Sequence, residues 1–162
     1  VHRLSKLGHQ RIGLINPPEE LNYSGHRLDG FIRGLESCGL CFRAEMQVST
    51  ALSFEAGRKV LQQFIELPNP PTAIVSPGVS TTLGILTEMN SANLILGKDL
   101  DLIAFEGTNY LEFNTPRINA YHSSLVAAGQ QLCKLLLRKI EGVSAEKFQI
   151  LQEPKFLNRQ EH

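Results

Sequence analysis

The sequence predicts an α/β fold, a three-layer sandwich in which helices cover both faces of a parallel β-sheet. Short apolar runs alternate with amphipathic segments along the whole chain. The run from Ala73 to Val75 is continuous and apolar, which is typical of a strand buried on both faces. Between Leu28 and Leu35, apolar residues recur at the spacing of one helical face. Strands that alternate with helices form βαβ units, which require parallel strands and right-handed crossovers.

The first half of the chain contains signals for two strands and for the helices around them. Ser24 is predicted to be the N-cap of a helix that ends at Gly39. Ser49–Thr50 or Ser53 would cap the next helix. The apolar side of that helix carries Phe54, Val60, Leu61, Phe64 and Ile65. The expected elements are a helical end at 1–8, a strand at 11–15, a helix from Ser24 to Gly39, a strand at 42–48 and a helix that ends at 67–71.

The second half continues the alternation and ends in an edge strand. After Pro77 and Gly78 we expect a helix that carries Leu83, Leu86 and Met89. Ser123 or Ser124 would cap a last long helix that ends at Gly142. Pro154 interrupts the final extended stretch, and proline is confined to sheet edges. The expected elements are strands at 72–76 and 100–105, a loop at 106–114, an extended segment at 117–120 and an edge strand at 148–157.

Composition and charge exclude several classes of protein. Sixteen basic residues balance sixteen acidic ones, whereas a nucleic-acid surface is usually basic and clustered. No apolar run approaches the ~20 residues of a membrane helix, so we expect no membrane partner. The first six residues have no apolar centre of the kind found in a signal peptide. The chain begins with Val1 rather than Met, which is compatible with a fragment.

The residues that could support redox, metal or catalytic chemistry do not form a recognisable site. Cys38 and Cys41 form a C-x-x-C, but Cys38 lies at the predicted end of a helix, where the dipole disfavours a thiolate. We therefore expect reduced, structural thiols. The five histidines show no metal-ligand spacing, and the glycines match no phosphate-binding loop. The sequence predicts neither an enzyme nor a cofactor.

Several short motifs resemble the LacI/GalR-type bacterial transcriptional repressors, and the resemblance covers nearly the whole chain. The motifs occur in the order seen in that family: Leu7-Gly8-His9-Gln10-Arg11-Ile12, Arg27-x-x-Gly30-Phe31, Pro71-Thr72-Ala73-Ile74, Leu83-Gly84-Ile85-Leu86, Asp99-Leu100-Asp101-Leu102-Ile103-Ala104-Phe105-Glu106, Ala128-Gly129 and the tail 154–159. What this resemblance implies is a periplasmic-binding-protein-like (type I) effector domain. In the family, a DNA-binding headpiece precedes two α/β subdomains that clasp a small effector, often a sugar or a purine.

The resemblance also implies how the chain is divided. Residues 1–162 form one α/β effector-binding domain fragment, in which 1–116 and 143–162 resemble the C-terminal subdomain. Residues 117–142 resemble a segment that returns to the N-terminal subdomain. We expect the helix at 124–140 to pack against a second copy of the chain or elsewhere on its own sheet. By analogy the protein is a cytoplasmic homodimer that contacts DNA only through an upstream headpiece outside this chain.

The effector would bind at the carboxyl ends of the strands, which is where open α/β sheets bind ligands. Arg27 is the first candidate, because its family counterpart forks onto the effector and a guanidinium can grip hydroxyls or a carboxylate with two hydrogen bonds. Glu106 occupies the position of a family Asp that accepts hydrogen bonds from the effector. Gly78 and Val79 replace the usual Asn-Asp pair, which suggests a different effector, a less polar site or a weakened one. The further candidates are Asn16, Tyr23 and Leu52 in the loops, of which Tyr23 could stack on a sugar or base.

We therefore predict the effector-sensing domain of a LacI-type regulator, in which a small sugar or a related metabolite shifts the DNA affinity of a dimer. One alternative is an extracytoplasmic sugar-binding protein of a transport or sensing system, which a signal peptide upstream would favour. Another is a small α/β enzyme of flavodoxin-like shape, which a copurifying cofactor would favour. Fold analogy by itself does not decide between them.

Overall fold

The computed structural model describes residues 1–115, 117–143 and 149–159. Within these residues the helices are α1 (His2–Lys6), α2 (Asn22–Glu36), α3 (Phe54–Ile65), α4 (Val79–Ser91) and α5 (Leu125–Ile140). The strands are β1 (Ile12–Asn16), β2 (Gln47–Ser49), β3 (Ala73–Ser76), β4 (Asp101–Glu106), β5 (Asn119–His122) and β6 (Lys155–Leu157). Two 3₁₀ turns, Ala44–Met46 and Tyr110–Phe113, precede β2 and follow β4.

The strands form one six-stranded sheet in the order β2-β1-β3-β4-β5-β6 among the described residues. Strands β1 to β5 are parallel, and β6 pairs antiparallel with β5 at the edge. This confirms the predicted parallel sheet with an edge strand. The carboxyl ends of β1, β2, β3 and β4 consequently point the same way and form one rim of the sheet, which we call the carboxyl edge.

Two apolar cores lie on opposite faces of this sheet, because successive strand residues point to opposite sides. Ile15 and Ile74 belong to the core under α3 and α4, whereas Leu14 and Ala73 belong to the core under α1 and α2. The predicted three-layer arrangement is therefore confirmed. The buried helix residues of the first core are Val60, Leu61, Phe64, Ile85 and Met89. Those of the second are Leu4, Phe31 and Leu35.

Helices α3 and α4 approach each other closely at two glycines. A Cβ atom at Gly57 would lie 2.1 Å from the carbonyl oxygen of Thr81, and one at Gly84 would lie 2.0 Å from that of Phe54. Both neighbours are backbone atoms, so a side chain could not be accommodated by a rotamer change. The buried Glu88 of α4 ties the pair together by accepting hydrogen bonds from Arg58 Nε at 3.0 Å and from Gln62 Nε2 at 2.9 Å.

Two of the predicted caps are confirmed and one is wrong. The hydroxyls of Ser53 and Ser124 accept hydrogen bonds from the third residue after each, at 3.1 Å, and begin α3 and α5. Ser24, in contrast, lies inside α2, which begins at Asn22 after Leu21. The Ser24 hydroxyl is buried and donates to the carbonyl of Pro17 at 2.9 Å, so it serves the loop before the helix rather than the helix end.

The structure corrects the expected extent and packing of several elements. The second strand covers only Gln47–Ser49, because Ala44–Met46 forms a 3₁₀ turn and Phe42 is exposed. Phe54 and Ile65, expected on the apolar side of α3, lie at its two ends and are exposed, as is Leu83 on α4. The predicted edge strand shortens to Lys155–Leu157, and its expected start at Phe148 lies outside the described residues, as does the expected boundary at Pro116.

Helix α5 is not buried against the sheet. Its first residue contacts the β4–β5 connection, where Leu125 N donates to Gly107 O at 3.4 Å, but none of its sixteen residues is buried. Leu132 is 68% exposed and Leu136 is 56% exposed. The expectation that this helix packs elsewhere on its own sheet is therefore wrong, and packing on a second copy stays a prediction.

The three cysteines are free thiols, and Cys41 is exposed rather than part of the core. Among the described residues, no helix has both the length and the apolar character needed to cross a bilayer.

Candidate functional site

The residues predicted to bind an effector all lie at or beside the carboxyl edge of the sheet. This follows from the parallel pairing of β1, β2, β3 and β4, which brings the segments after each strand to one rim. Asn16 ends β1, Tyr23 and Arg27 lie in the first two turns of α2, Leu52 follows β2, Gly78 follows β3 and Glu106 ends β4. Their side chains nevertheless differ in what they contact.

Arg27 joins α2 to the ends of β3 and β4. The centre of its guanidinium lies 4.9 Å from the ring centroid of Phe105 and 5.9 Å from that of Tyr23. Its Nη1 donates to the carbonyl of Pro77 at 3.3 Å. Burial lowers the pKa of Arg27 from its ordinary value, and the charge interaction with Tyr23 opposes that shift. An arginine stays protonated nonetheless, so the structure holds a half-buried cation near two aromatic rings.

A cavity of about 370 Å³ opens beside Arg27 on the α2 side of the sheet. Its walls are mostly apolar and include Leu14, Phe31, Val75, Ile103, Phe105 and Tyr121. Arg27 is the one charged side chain among the described residues that line it. The volume and the mixture of apolar walls with few polar groups are typical of small-molecule sites.

Asn16 lies beneath the rim and is 1% exposed. Its Nδ2 donates to the carbonyl oxygen of Ser24 at 3.0 Å and to the hydroxyl of Ser24 at 2.7 Å. Its Oδ1 is buried without a hydrogen-bond partner among the described residues. Asn16 therefore fixes the start of α2 relative to the end of β1, and leaves one acceptor unused.

Glu106 is fully buried and both of its carboxylate oxygens are engaged. Oε1 accepts from Arg159 Nη2 at 2.5 Å, and Oε2 accepts from the backbone N–H of Leu111 at 3.4 Å. His122 Nδ1 lies 3.9 Å from the same carboxylate. Glu106 does not line the cavity beside Arg27. It instead connects the 3₁₀ turn after β4 to the tail after β6.

Sequence reasoning did not single out Arg159, because it lies 53 residues from Glu106 in the chain. Its backbone N–H also donates to Asn119 Oδ1 at 2.8 Å, which continues the antiparallel pairing of β6 with β5. Only the pairing of the edge strand brings this guanidinium to the end of β4. In the sequence, Arg159 is indicated only as the last residue of the motif at 154–159, and that motif does not show which acidic residue pairs with it.

The remaining candidates, Tyr23, Leu52 and Gly78, contribute mainly to the shape of the rim. Tyr23 and Leu52 are both about two-fifths exposed, at 41% and 42%. Gly78 has an extended backbone, and a Cβ there would meet no atom within 4 Å. Val79 packs against the core under α4 rather than offering a polar group. Among residues 1–115, 117–143 and 149–159, no group of His, Cys, Asp and Glu is arranged to hold a metal ion.

Comparisons with known proteins place this geometry in a family. The model of the family described as periplasmic binding protein-like domain matches residues 1–160. The HTH-type transcriptional repressor CytR of Escherichia coli K12 is 32% identical over 142 residues, which are 88% of this chain and 42% of CytR. The HTH-type transcriptional regulator AglR of Rhizobium meliloti is 36% identical over 138 residues, which are 83% of this chain and 38% of AglR.

A solved structure of a LacI-family regulatory protein from Chloroflexus aggregans superposes with a TM-score of 0.90 at 24% identity, over 99% of this chain and 58% of that one. The chain thus spans about two fifths of the length of the curated relatives it matches. The resemblance predicted from the motifs is confirmed: this chain belongs to the family of periplasmic binding protein-like domains and is similar to the corresponding part of LacI-type regulators.

Proposed function

We propose that this chain is part of the effector-sensing domain of a LacI-type transcription regulator. The observation that supports this most directly is Arg27, a half-buried cation beside a cavity of about 370 Å³ at the carboxyl edge of the sheet. A ligand that contacts both this subdomain and a second one would favour one arrangement of the two subdomains, open or closed. It can shift the DNA affinity only through its different affinity for the open and closed states.

The similarity to HTH-type repressors favours this reading over the extracytoplasmic sugar-binding protein. Contact with DNA would be made by a helix-turn-helix headpiece, and we place the protein in the cytoplasm, where it can reach DNA. The same relatives are regulators, so we propose a binding function without catalysis or a cofactor.

Helix α5 supports the division of the chain into a C-terminal subdomain and a returning segment at 117–142. A groove of about 500 Å³ separates Leu132 and Leu135 of α5 from Ile150 and Leu151. A helix with a continuous apolar stripe needs another element against which to bury it. We assign this surface to a second α/β subdomain, whose sheet α5 would cover, in place of the second copy of the chain expected from the sequence.

Helix α4 offers a surface for the proposed homodimer. Glu88 is its one charged residue, and that carboxylate is directed inward to Arg58 and Gln62. The outward stripe, with Leu83 exposed and Leu86 half-buried, is uncharged. In a two-fold interface the same patch faces itself, so an uncharged stripe avoids repulsion between identical charges.

Sedimentation velocity tests this assignment. Leu83→Glu would place two carboxylates against each other in the dimer, and we expect it to shift the protein to monomer at micromolar concentration. Phe42→Glu adds the same charge at a similarly exposed apolar residue away from α4, and should leave the dimer intact. A dimer that tolerates Leu83→Glu would contradict the α4 interface.

Within the site we propose different roles for the predicted residues. Arg27 binds the effector directly, and Tyr23, Leu52 and Gly78 shape the rim around it. Asn16 is proposed to hold the start of α2 and to offer its unused Oδ1 as an acceptor. Glu106 is proposed as a positioning residue, because its carboxylate is already paired with Arg159.

A binding screen with Arg27→Ala tests the sensing function. Sugars and nucleosides would be titrated calorimetrically into the product of the longest reading frame that contains this chain. We expect at least one compound to bind, and Arg27→Ala to weaken it at least tenfold. Arg33→Ala is the matched control, because Arg33 is an exposed arginine on the same helix. Equal affinity of the Arg27 and Arg33 variants would contradict the proposed site.

A further inference from the structure

Arg27 is a half-buried guanidinium without an acidic partner among the described residues. Arg58 and Arg159, in contrast, are held in side-chain ion pairs, with Glu88 at 3.0 Å and with Glu106 at 2.5 Å. Within the described part of the chain, Arg27 has a single hydrogen bond, to the Pro77 carbonyl at 3.3 Å. A guanidinium has five N–H donors, so most of its donor capacity is unused.

The acidic residues near the rim do not satisfy this charge. Glu106 is sequestered by Arg159 on the other side of β4. Glu19 and Glu20 are exposed on the loop between β1 and α2, and neither forms an ion pair with Arg27. Val79, where the resembled family has an aspartate, has no charge to offer.

The surroundings make an unpaired cation costly. The cavity wall is mostly apolar, and the Arg27 guanidinium lies near the rings of Phe105 and Tyr23. Taking a cation partly out of water without a counter-charge is unfavourable, and the same low polarity strengthens any ion pair formed there. The contact with the Phe105 ring and the hydrogen bond to the Pro77 carbonyl restrict the guanidinium, which reduces the ordering needed when a ligand binds.

We propose that the effector carries an oxyanion, a carboxylate or a phosphate, which pairs with Arg27 while the uncharged remainder of the molecule occupies the apolar cavity. This inference rests on the proposed sensing function and specifies the chemical class of its ligand. A planar oxyanion or phosphate matches the guanidinium fork with two parallel hydrogen bonds. A neutral hydroxyl would leave the charge of Arg27 uncompensated.

Matched ligands that differ in charge test this. Glucose, glucuronate and glucose 6-phosphate form one set, and adenosine with adenosine 5′-monophosphate forms the other. Isothermal titration at 50 and 300 mM NaCl would use the complete protein that contains this chain. We expect a charged member to bind at least tenfold tighter than its neutral counterpart, and higher salt to reduce the difference.

Variants of Arg27 separate charge from shape. Arg27→Gln should abolish the preference for the charged member, Arg27→Lys should retain part of it, and Arg33→Gln should leave it unchanged. Thermal melts of each variant show that it is folded. A neutral member that binds equally or more tightly overturns the oxyanion inference and leaves the sensing function standing. Failure of every charged and neutral compound to bind overturns both.

Discussion

The contact between α3 and α4 at Gly84 allows a stability effect to be worked out from the structure. A Cβ at Gly84 would lie 2.0 Å from the carbonyl oxygen of Phe54 and 2.9 Å from its carbonyl carbon. Ordinary contact begins at 3.4 Å, so the oxygen is 1.4 Å too close. Because the obstructing atoms are backbone, Gly84→Ala must push the two helices apart.

Two effects of this substitution oppose each other. Alanine is favoured over glycine in a helix by about 1 kcal/mol. Overpacking costs about 1–3 kcal/mol, and a gap of ~0.5–1 Å already forfeits a quarter to a half of each dispersion contact along the interface. Buried Val60, Phe64, Ile85 and Met89 all belong to that core. Because the obstructing atoms are backbone, we take the overpacking cost at its upper end, about 3 kcal/mol; after the gain in helix propensity of about 1 kcal/mol, we expect Gly84→Ala to lower the free energy of unfolding by about 2 kcal/mol.

Urea unfolding followed by circular dichroism measures this difference. Gly30→Ala is the matched control, because Gly30 lies inside α2 and a Cβ there meets no atom within 4 Å. We expect that control to raise stability by about 0.5–1 kcal/mol, through helix propensity and a restricted unfolded chain. If Gly84→Ala is as stable as the wild type or as Gly30→Ala, the close approach of the two helices is refuted.

Two further outcomes follow from the buried charges. Arg159→Met should lower the free energy of unfolding by about 3–5 kcal/mol, because it leaves the Glu106 carboxylate buried without its cation. Adding Glu106→Gln should restore much of the loss. A loss below about 1 kcal/mol in urea unfolding would contradict the pairing. The hydrogen bond from Gln62, with the hydrogen bond and charge of Arg58, holds the pKa of Glu88 below its ordinary value. The stability from this depressed pKa is present above the unfolded carboxyl pKa of about 4.3 and is lost as pH falls through the lower folded value. Melting temperatures at pH 7 and pH 3 should therefore differ less in Glu88→Gln than in the wild type, and an unchanged difference would contradict this.

The sequence predicted most of the secondary structure for local reasons. Continuous apolar runs identified β1, β3 and β4, and hydroxyl residues identified the starts of α3 and α5 at Ser53 and Ser124. Ser24 was misplaced because the same hydroxyl chemistry also serves a loop carbonyl. Which of these partners a serine bonds depends on where the preceding loop runs, and no local pattern encodes that.

The sequence alone determined the layered α/β architecture and the placement of Arg27, Asn16 and Gly78 at one rim. Both follow from the spacing of apolar residues and from the rule that the carboxyl ends of parallel strands lie at one edge of the sheet. Only the tertiary structure decided which charges are paired. It joined Glu106 to Arg159 through the antiparallel edge strand and left Arg27 near two aromatic rings, without an acid among the residues that the structure describes. Electrostatic partners depend on distances between atoms far apart in the chain, which composition and spacing do not contain.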